Sequence, residues 1–356
     1  MQKLLVKGNE AVSEAAIQAG CRLFFGYPIT PSNEIIEYMA RRMPEENGTM
    51  VQAESEVSAI YMILGAAGAG ERCMTGTSGC GFSLMQEGMS FLAAYDLPAV
   101  IVDVARLGPA LGNLDPSQGD YFQMVKGGGH GDYYNFVLAP SGVQEAADLT
   151  MLAFDLADQY RMPVVVAMDG VLGQMMEPVT FKKPEPRDLP PKTWAAKGKR
   201  GTGVKHDVIG YILDSVKAEQ HAVAMADKYD MIRAAEQRWE EIGLEDADLV
   251  VVAFGTCGRI ARSAVREARA QGLKVGMIRP ITLWPFPSKP IEAALKSAKG
   301  VLVSEMNMGQ MIEDVRLVVN GRVPVWQHRK LGGFMPTTEE LVDRIRMLAG
   351  EVTTHD

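Results

Sequence analysis

The chain has 356 residues and a formal net charge of −8, with 36 Lys and Arg against 44 Asp and Glu. Its length exceeds one compact core and sets an expectation of two domains, while the acidic balance argues against a nucleic-acid partner. No apolar run of about 18 residues could span a membrane, and no charged start followed by an apolar stretch and a cleavage site marks a secretory signal, so a cytoplasmic location is expected.

Over the first 180 residues helix and strand patterns alternate, which predicts an α/β fold: a parallel, doubly wound sheet with helices on both faces. The spacing predicts a helix over 9–18, capped by Asn9 and stopped at Gly20. A short buried strand over 22–25 and a helix over 32–43, capped by Ser32, follow. Next come a strand over 50–53, a small-residue helix over 54–68, and strands over 73–77 and 99–104. Strand 136–139, helix 143–159 and strand 164–169 close this first unit, taken as residues 1–180.

Residues 181–203 hold Pro184, Pro186, Pro190 and Pro191 among Lys and Arg, and read as a linker or extended arm. Charged residues at helical spacing over 214–242 predict one long exposed helix, so 181–247 is a connecting segment. From 248 to 356 a smaller doubly wound unit is expected: strand 249–254, a turn at Gly255-Thr256-Cys257-Gly258, helix 259–270, strand 274–278, helix 291–298, strand 300–305 and helix 310–319. The four cysteines, Cys21, Cys73, Cys80 and Cys257, form no C-x-x-C pair. They are expected to be small buried side chains, with no iron–sulfur cluster in this chain.

Ligands of an open parallel sheet bind beyond the carboxyl ends of its strands, and several segments fall there. Gly26-Tyr27-Pro28-Ile29-Thr30-Pro31-Ser32 joins a strand to a helix, and its two prolines restrict Tyr27 and Thr30. It is either a stiff connection or a loop that holds the Thr30 hydroxyl toward a ligand. Glu54 and Glu56 open a helix, as first-turn acids suited to the dipole or as an acid or base; the residues alone leave both open. Ser78-Gly79-Cys80-Gly81 is a tight reversal or a turn presenting N–H groups to an anion. Arg106 ends a strand, where it is a surface cation or a carboxylate holder. His130, in the glycine loop 127–131, is a candidate acid or base but reads first as a polar residue in a turn. Asp115-Pro116-Ser117-Gln118-Gly119-Asp120 has no role legible from its chemistry. Dinucleotide, P-loop, nucleophile-elbow and zinc-protease motifs are absent.

Taken in order, these segments resemble the large subunit of the pyruvate/2-oxoacid:ferredoxin oxidoreductases. The resemblance rests on Tyr27-Pro28-Ile29-Thr30-Pro31-Ser32, Glu54-Ser55-Glu56, Thr77-Ser78-Gly79 and Arg106-Leu107-Gly108-Pro109. It continues through Gln118-Gly119-Asp120, Gly129-His130-Gly131, the segment from Arg279 to Pro287 and that from Ser304 to Gln310, so it spans nearly the whole chain. It implies a pyrimidine-binding domain for thiamine diphosphate, followed by a Rossmann-like domain similar to the transketolase C-terminal one. The G-D-G…N motif that holds diphosphate and Mg²⁺ is missing, which implies a partner beta subunit carrying both. Gamma- or delta-type subunits would bring the ferredoxin clusters.

The implied reaction is coenzyme A-dependent oxidative decarboxylation of a 2-oxoacid to acyl-CoA and CO₂, with electrons passed to ferredoxin. Glu56 is implied as the carboxylate at N1′ of the aminopyrimidine, Thr30 and Arg106 as substrate-carboxylate ligands, and Pro28, Ile29, Ser78 and Gly79 as cofactor neighbours. Metal ligands are not expected in this chain. Gly108-Pro109-Ala110-Leu111-Gly112 resembles branched-chain (2-ketoisovalerate) members more than 2-oxoglutarate members, which carry a polar stretch there. A scaffold without catalysis and a thiamine-dependent decarboxylase are the rival classes.

Overall fold

The computed structural model describes residues 3–182, 187–199, 203–208 and 210–353; Pro184 and Pro186 of the proline-rich stretch lie outside these. In chain order the first half runs β1 (Leu4–Lys7), α1 (Gly8–Gln18), β2 (Leu23–Gly26), α2 (Asn33–Glu45), β3 (Thr49–Gln52), α3 (Glu56–Gly68), β4 (Cys73–Thr77), α4 (Gly79–Ala94) and β5 (Ala99–Ala105). Then come α5 (Tyr121–Val125), β6 (Phe136–Leu138), α6 (Val143–Tyr160), β7 (Pro163–Asp169), α7 (Gly170–Gln174) and β8 (Met176–Val179). The second half runs α8 (Ser215–Ala235), β9 (Trp239–Ile242), β10 (Leu249–Val252), α9 (Gly255–Ala270), β11 (Val275–Pro280), β12 (Thr282–Trp284), α10 (Ser288–Ala294), β13 (Gly300–Glu305), α11 (Met311–Val319), β14 (Val325–Arg329) and α12 (Thr338–Thr353).

Strands buried on both faces need continuous apolar sequence, and β5 (AVIVDVA) and β7 (PVVVAMD) are buried throughout. They sit centrally in a seven-stranded sheet of order β12-β6-β7-β5-β4-β2-β3, parallel except where β12 meets β6. The connections from β2 and β4 leave toward opposite edges, so the topological switch point lies between these two neighbours. A second sheet, β14-β13-β10-β11-β9, is parallel except for β9. The doubly wound α/β architecture is as expected.

Three local expectations are corrected. Asn9 does not cap α1: Lys7 holds that position, and buried Asn9 donates its amide to Pro31 O (2.7 Å) and Glu34 Oε2 (2.8 Å). Second, 214–242 is not one helix. Asp214 caps α8 through Val216 N and Lys217 N, but α8 ends at Ala235 and the chain becomes β9, paired antiparallel with β11. A sheet edge offering backbone partners overrides helical propensity there. Third, Gly255-Thr256-Cys257-Gly258 is the first turn of α9 rather than a separate turn. The pairing of β12 with β6, which carries a strand from beyond residue 280 into the first sheet, has no counterpart in the sequence pattern.

Candidate active site

The strands β5, β4, β2 and β3 are consecutive neighbours. Their carboxyl ends bring together Arg106, the Thr77–Gly79 turn, the Thr30 loop and Glu56. The Thr30 loop is braced from three sides. Ser32 Oγ donates to Ile29 O (2.8 Å), and Pro31 O accepts from Asn9 and from Gln174 Nε2 (3.0 Å). Thr30 Oγ1 accepts from Asn33 Nδ2 at 3.2 Å, and Thr30 is half-buried. Pro28 is exposed and Ile29 half-buried on the same loop.

The two acids at the start of α3 part company. Glu54 is exposed and accepts from Ser58 Oγ (2.5 Å), while Ser55 caps the helix through Ser58 N. Glu56 is only 5% exposed, and its carboxylate makes no hydrogen bond among the described residues. It lies against α4, where a Cβ at Gly81 would collide with Glu56 Oε1 and Thr77 Oγ1. Glycine at 81 is what lets the carboxylate sit there. Beside it, Thr77 Oγ1 and Ser78 Oγ are buried without partners among the described residues. Gly79 has φ +38, a left-handed value that favours glycine.

Arg106 is 9% exposed. Its Nη1 donates to Thr30 O (2.8 Å), and its Nη2 donates to Leu111 O (3.1 Å) and to Cys80 Sγ (3.4 Å). Of five guanidinium N–H groups, two keep no protein partner among the described residues and remain for a ligand. A cavity of about 350 Å³, lined by Gly79, Cys80, Ser83, Arg106, Pro109 and Asp120 among others, opens over the group. A larger cavity of about 510 Å³ continues from it to Met306, Asn307, Gln310 and Lys330.

The second unit fixes the floor of this cavity. Gln118 exchanges hydrogen bonds with Met306, its N donating to Met306 O and its Oε1 accepting from Met306 N, both 3.0 Å. Gln310 Nε2 donates to Gly119 O (2.8 Å), and Gln310 Oε1 accepts from Phe122 N (2.8 Å). Tyr121 OH donates to buried Asp314 (2.5 Å), which Lys126 also pairs. Glu305 accepts from Gln310 N, Met311 N and Ile312 N at the start of α11. Burial raises its pKa while these backbone donors hold it down.

Thr30, Arg106, Ser78, Gly79 and Glu56 are thus gathered on one sheet edge. His130 is not among them: it is exposed, and its carbonyl accepts from Ser90 Oγ (2.8 Å), about three turns along α4 from Gly79. Cys80 departs from expectation. Cys21, Cys73 and Cys257 are buried, but Cys80 is partly exposed and lines the cavity beside Arg106. Asp103 and Asp120 were missed as site residues. A lone acid inside the apolar run of β5 was the available signal for the first; no local signal marks the second.

Residues 14–240 match the family described as pyruvate flavodoxin/ferredoxin oxidoreductase, thiamine diphosphate-binding, and residues 247–341 match pyruvate:ferredoxin oxidoreductase core domain II. The chain is 50% identical over 351 residues to a ketoisovalerate oxidoreductase subunit VorB from Methanothermobacter thermautotrophicus, covering 99% of each. It is 40% identical to a 2-oxoglutarate synthase subunit KorA from Methanocaldococcus jannaschii, covering 96% of this chain and 98% of that one. Among solved structures it is similar to 2-oxoglutarate:ferredoxin oxidoreductase from Magnetococcus marinus, solved with 2-oxoglutarate, coenzyme A and succinyl-CoA, at TM-score 0.89 and 30% identity. That similarity covers 98% of this chain and 65% of the other. The chain belongs to the 2-oxoacid:ferredoxin oxidoreductase family of oxidoreductases, and carries its thiamine-diphosphate-binding domain. Among the described residues no helix is long and apolar enough to cross a membrane.

Proposed function

We propose that the chain is the alpha subunit of a cytoplasmic 2-oxoacid:ferredoxin oxidoreductase that acts on a branched-chain 2-oxoacid such as 2-ketoisovalerate. Residues 1–180 form the pyrimidine-side domain, 181–247 the connecting arm, and 248–356 the second domain. The observation that carries the reading is Glu56. Its side chain is held against α4 and its carboxylate takes no donor from the described residues, so it is free to meet a ring nitrogen able to share a proton with it. Bound thiamine diphosphate would supply the electron sink for decarboxylation. Glu56 holds or moves the proton at N1′; Pro28, Ile29, Ser78 and Gly79 shape the surrounding wall; Arg106 and Thr30 orient the 2-oxoacid carboxylate.

No diphosphate or Mg²⁺ motif is present in the sequence, so a beta subunit is proposed to hold both. Gamma- and delta-type subunits would carry the iron–sulfur clusters that pass electrons to ferredoxin, and coenzyme A would take the acyl group. Calorimetry on the chain without partners should accordingly give no micromolar, Mg²⁺-dependent thiamine diphosphate binding.

The substrate reading rests on the likeness to ketoisovalerate oxidoreductase subunits and on charge. The cations lining the two cavities are Arg106 and Lys330, and Lys330 Nζ is engaged by Glu340 (2.5 Å). A second substrate carboxylate, as in 2-oxoglutarate, finds no uncommitted cation there, whereas Leu107 and Pro109, which line both cavities, suit an apolar tail. The test is ferredoxin reduction by the intact complex with several 2-oxoacids. A kcat/KM for 2-oxoglutarate above that for 2-ketoisovalerate would overturn the substrate; reduction with neither would overturn the function.

A further inference from the structure

Every residue of β5 is buried, including Asp103, which is 0% exposed. Neither Asp103 oxygen has a donor among the described residues. Asp120 is 8% exposed and lines the cavity beside Arg106. Its Oδ1 accepts from Gln123 Nε2 (2.6 Å), but its Oδ2 has no donor. The two carboxyls come together at the start of α4: a Cβ at Gly79 would sit 3.7 Å from Asp120 Oδ2, and Asp103 is the strand partner of Thr77, two residues before Gly79.

The groups facing the pair come from each packed element. They are Gly79 N–H and the Cys80 thiol on α4, Gln123 on α5, and the Arg106 guanidinium beyond β5. Arg106 is the one cation among them, and one charge cannot neutralise two acids. Two carboxylates in contact in a dry site do not both ionise. The charge near Arg106 then depends on the pair. With one proton held between the acids, Arg106 and the pair sum to zero; with none, the sum is −1, and an anionic substrate is repelled.

We propose that Asp103 and Asp120 hold a single proton between them, and that this proton is required for the 2-oxoacid to bind at Arg106. The proposal rests on Arg106 being the substrate-carboxylate ligand. Burial supports it: Asp103 is pushed well above the ordinary carboxylate range, and Asp120 up to about 6. Such values belong to the pair rather than to either acid, so at neutral pH one proton remains. The pair acts through charge, and both members are positioning residues.

The test uses the intact complex, with the 2-oxoacid varied across pH at saturating coenzyme A. In the wild type, KM for the 2-oxoacid should rise on the alkaline side toward about tenfold per pH unit, while kcat changes little. Asp103→Asn leaves at most one charge and should flatten that rise; Cys80→Ser, which removes the neighbouring thiol and leaves both acids in place, should keep it. A rise that survives Asp103→Asn, or disappears in Cys80→Ser, overturns the proposal. Independently of activity, the infrared spectrum of the wild-type complex at neutral pH should show a protonated-carboxyl stretch that Asp103→Asn removes. Absence of that band in the wild type overturns the shared proton even if Asp103→Asn does not assemble. A complex inert to every 2-oxoacid would instead sink the functional reading and the binding half of the proposal, leaving the band to report the proton alone.

Discussion

Arg106 Nη1 donates a 2.8 Å hydrogen bond to the carbonyl of Thr30, tying the loop after β5 to the loop after β2. The residues lie 76 positions apart in sequence, yet this bond holds the two loops against each other. Arg106 also holds Leu111 O, so one guanidinium sets the shape of the cavity mouth as well as its charge.

Glu56→Gln should leave the complex assembled and lower turnover by about 10²–10⁴-fold, since an amide cannot exchange the proton. Glu54→Gln is the control, because Glu54 is exposed and bonded to Ser58. Ferredoxin-reduction rates of the two variants decide between the acids. Loss in Glu54→Gln with Glu56→Gln unaffected would reverse the assignment.

Gly81→Ala tests the same carboxylate from its other side. The added methyl collides with Glu56 Oε1 and Thr77 Oγ1. Overpacking of this kind costs about 1–3 kcal/mol, visible in denaturant melts, and turnover should fall with the displaced carboxylate. Wild-type turnover in a folded Gly81→Ala complex would mean that this position of Glu56 is not the working one.

Arg106→Lys should raise KM for the 2-oxoacid by roughly one to three orders of magnitude. Losing a charge-assisted hydrogen bond costs about 1.5–3 kcal/mol, and about 1.4 kcal/mol is tenfold. An ammonium also cannot hold Thr30 O and Leu111 O together while facing a ligand. KM for coenzyme A should barely move. Steady-state kinetics with each substrate varied in turn separates this from a general loss of structure, which would shift both.

The acid pair also makes stability pH-dependent. Burial is the largest cause raising Asp103 and Asp120, the latter to about 6. An acid whose folded pKa is raised stabilises the fold fully below the ordinary carboxylate range, and that stability is lost as pH rises through the folded value. The melting temperature of the complex should therefore fall from about pH 4, less steeply above about 6, and level off only once the second proton has left. Asp103→Asn should remove the part of the decline above about 6. Calorimetric melts across this range provide the measurement, and a profile identical to wild type would detach the pair from it.

Much of the fold was legible in the sequence because its signals are local. The apolar runs of β5 and β7 mark buried strands, and the helix patterns over 143–159 and 259–270 fall on α6 and α9. The ordered motifs likewise identified the family, and placed Thr30, Ser78, Gly79, Arg106 and Glu56 at ends of strands. Spacing along the chain could not decide which strands are neighbours. The order β5-β4-β2-β3 alone puts those ends side by side. Burial then separated Glu56 from Glu54, two residues that read alike in sequence. Asn9 looked like a cap and became a brace for Pro31; 236–242 continued a helical pattern and became a sheet edge. In both places a distant backbone partner outweighed the local preference. Asp103 and Asp120 lie 17 residues apart, and neither signals the other. Their meeting follows from the clamp of Gln118 and Gly119 by Met306 and Gln310, contacts 188 and 191 residues apart that only the packed chain brings together.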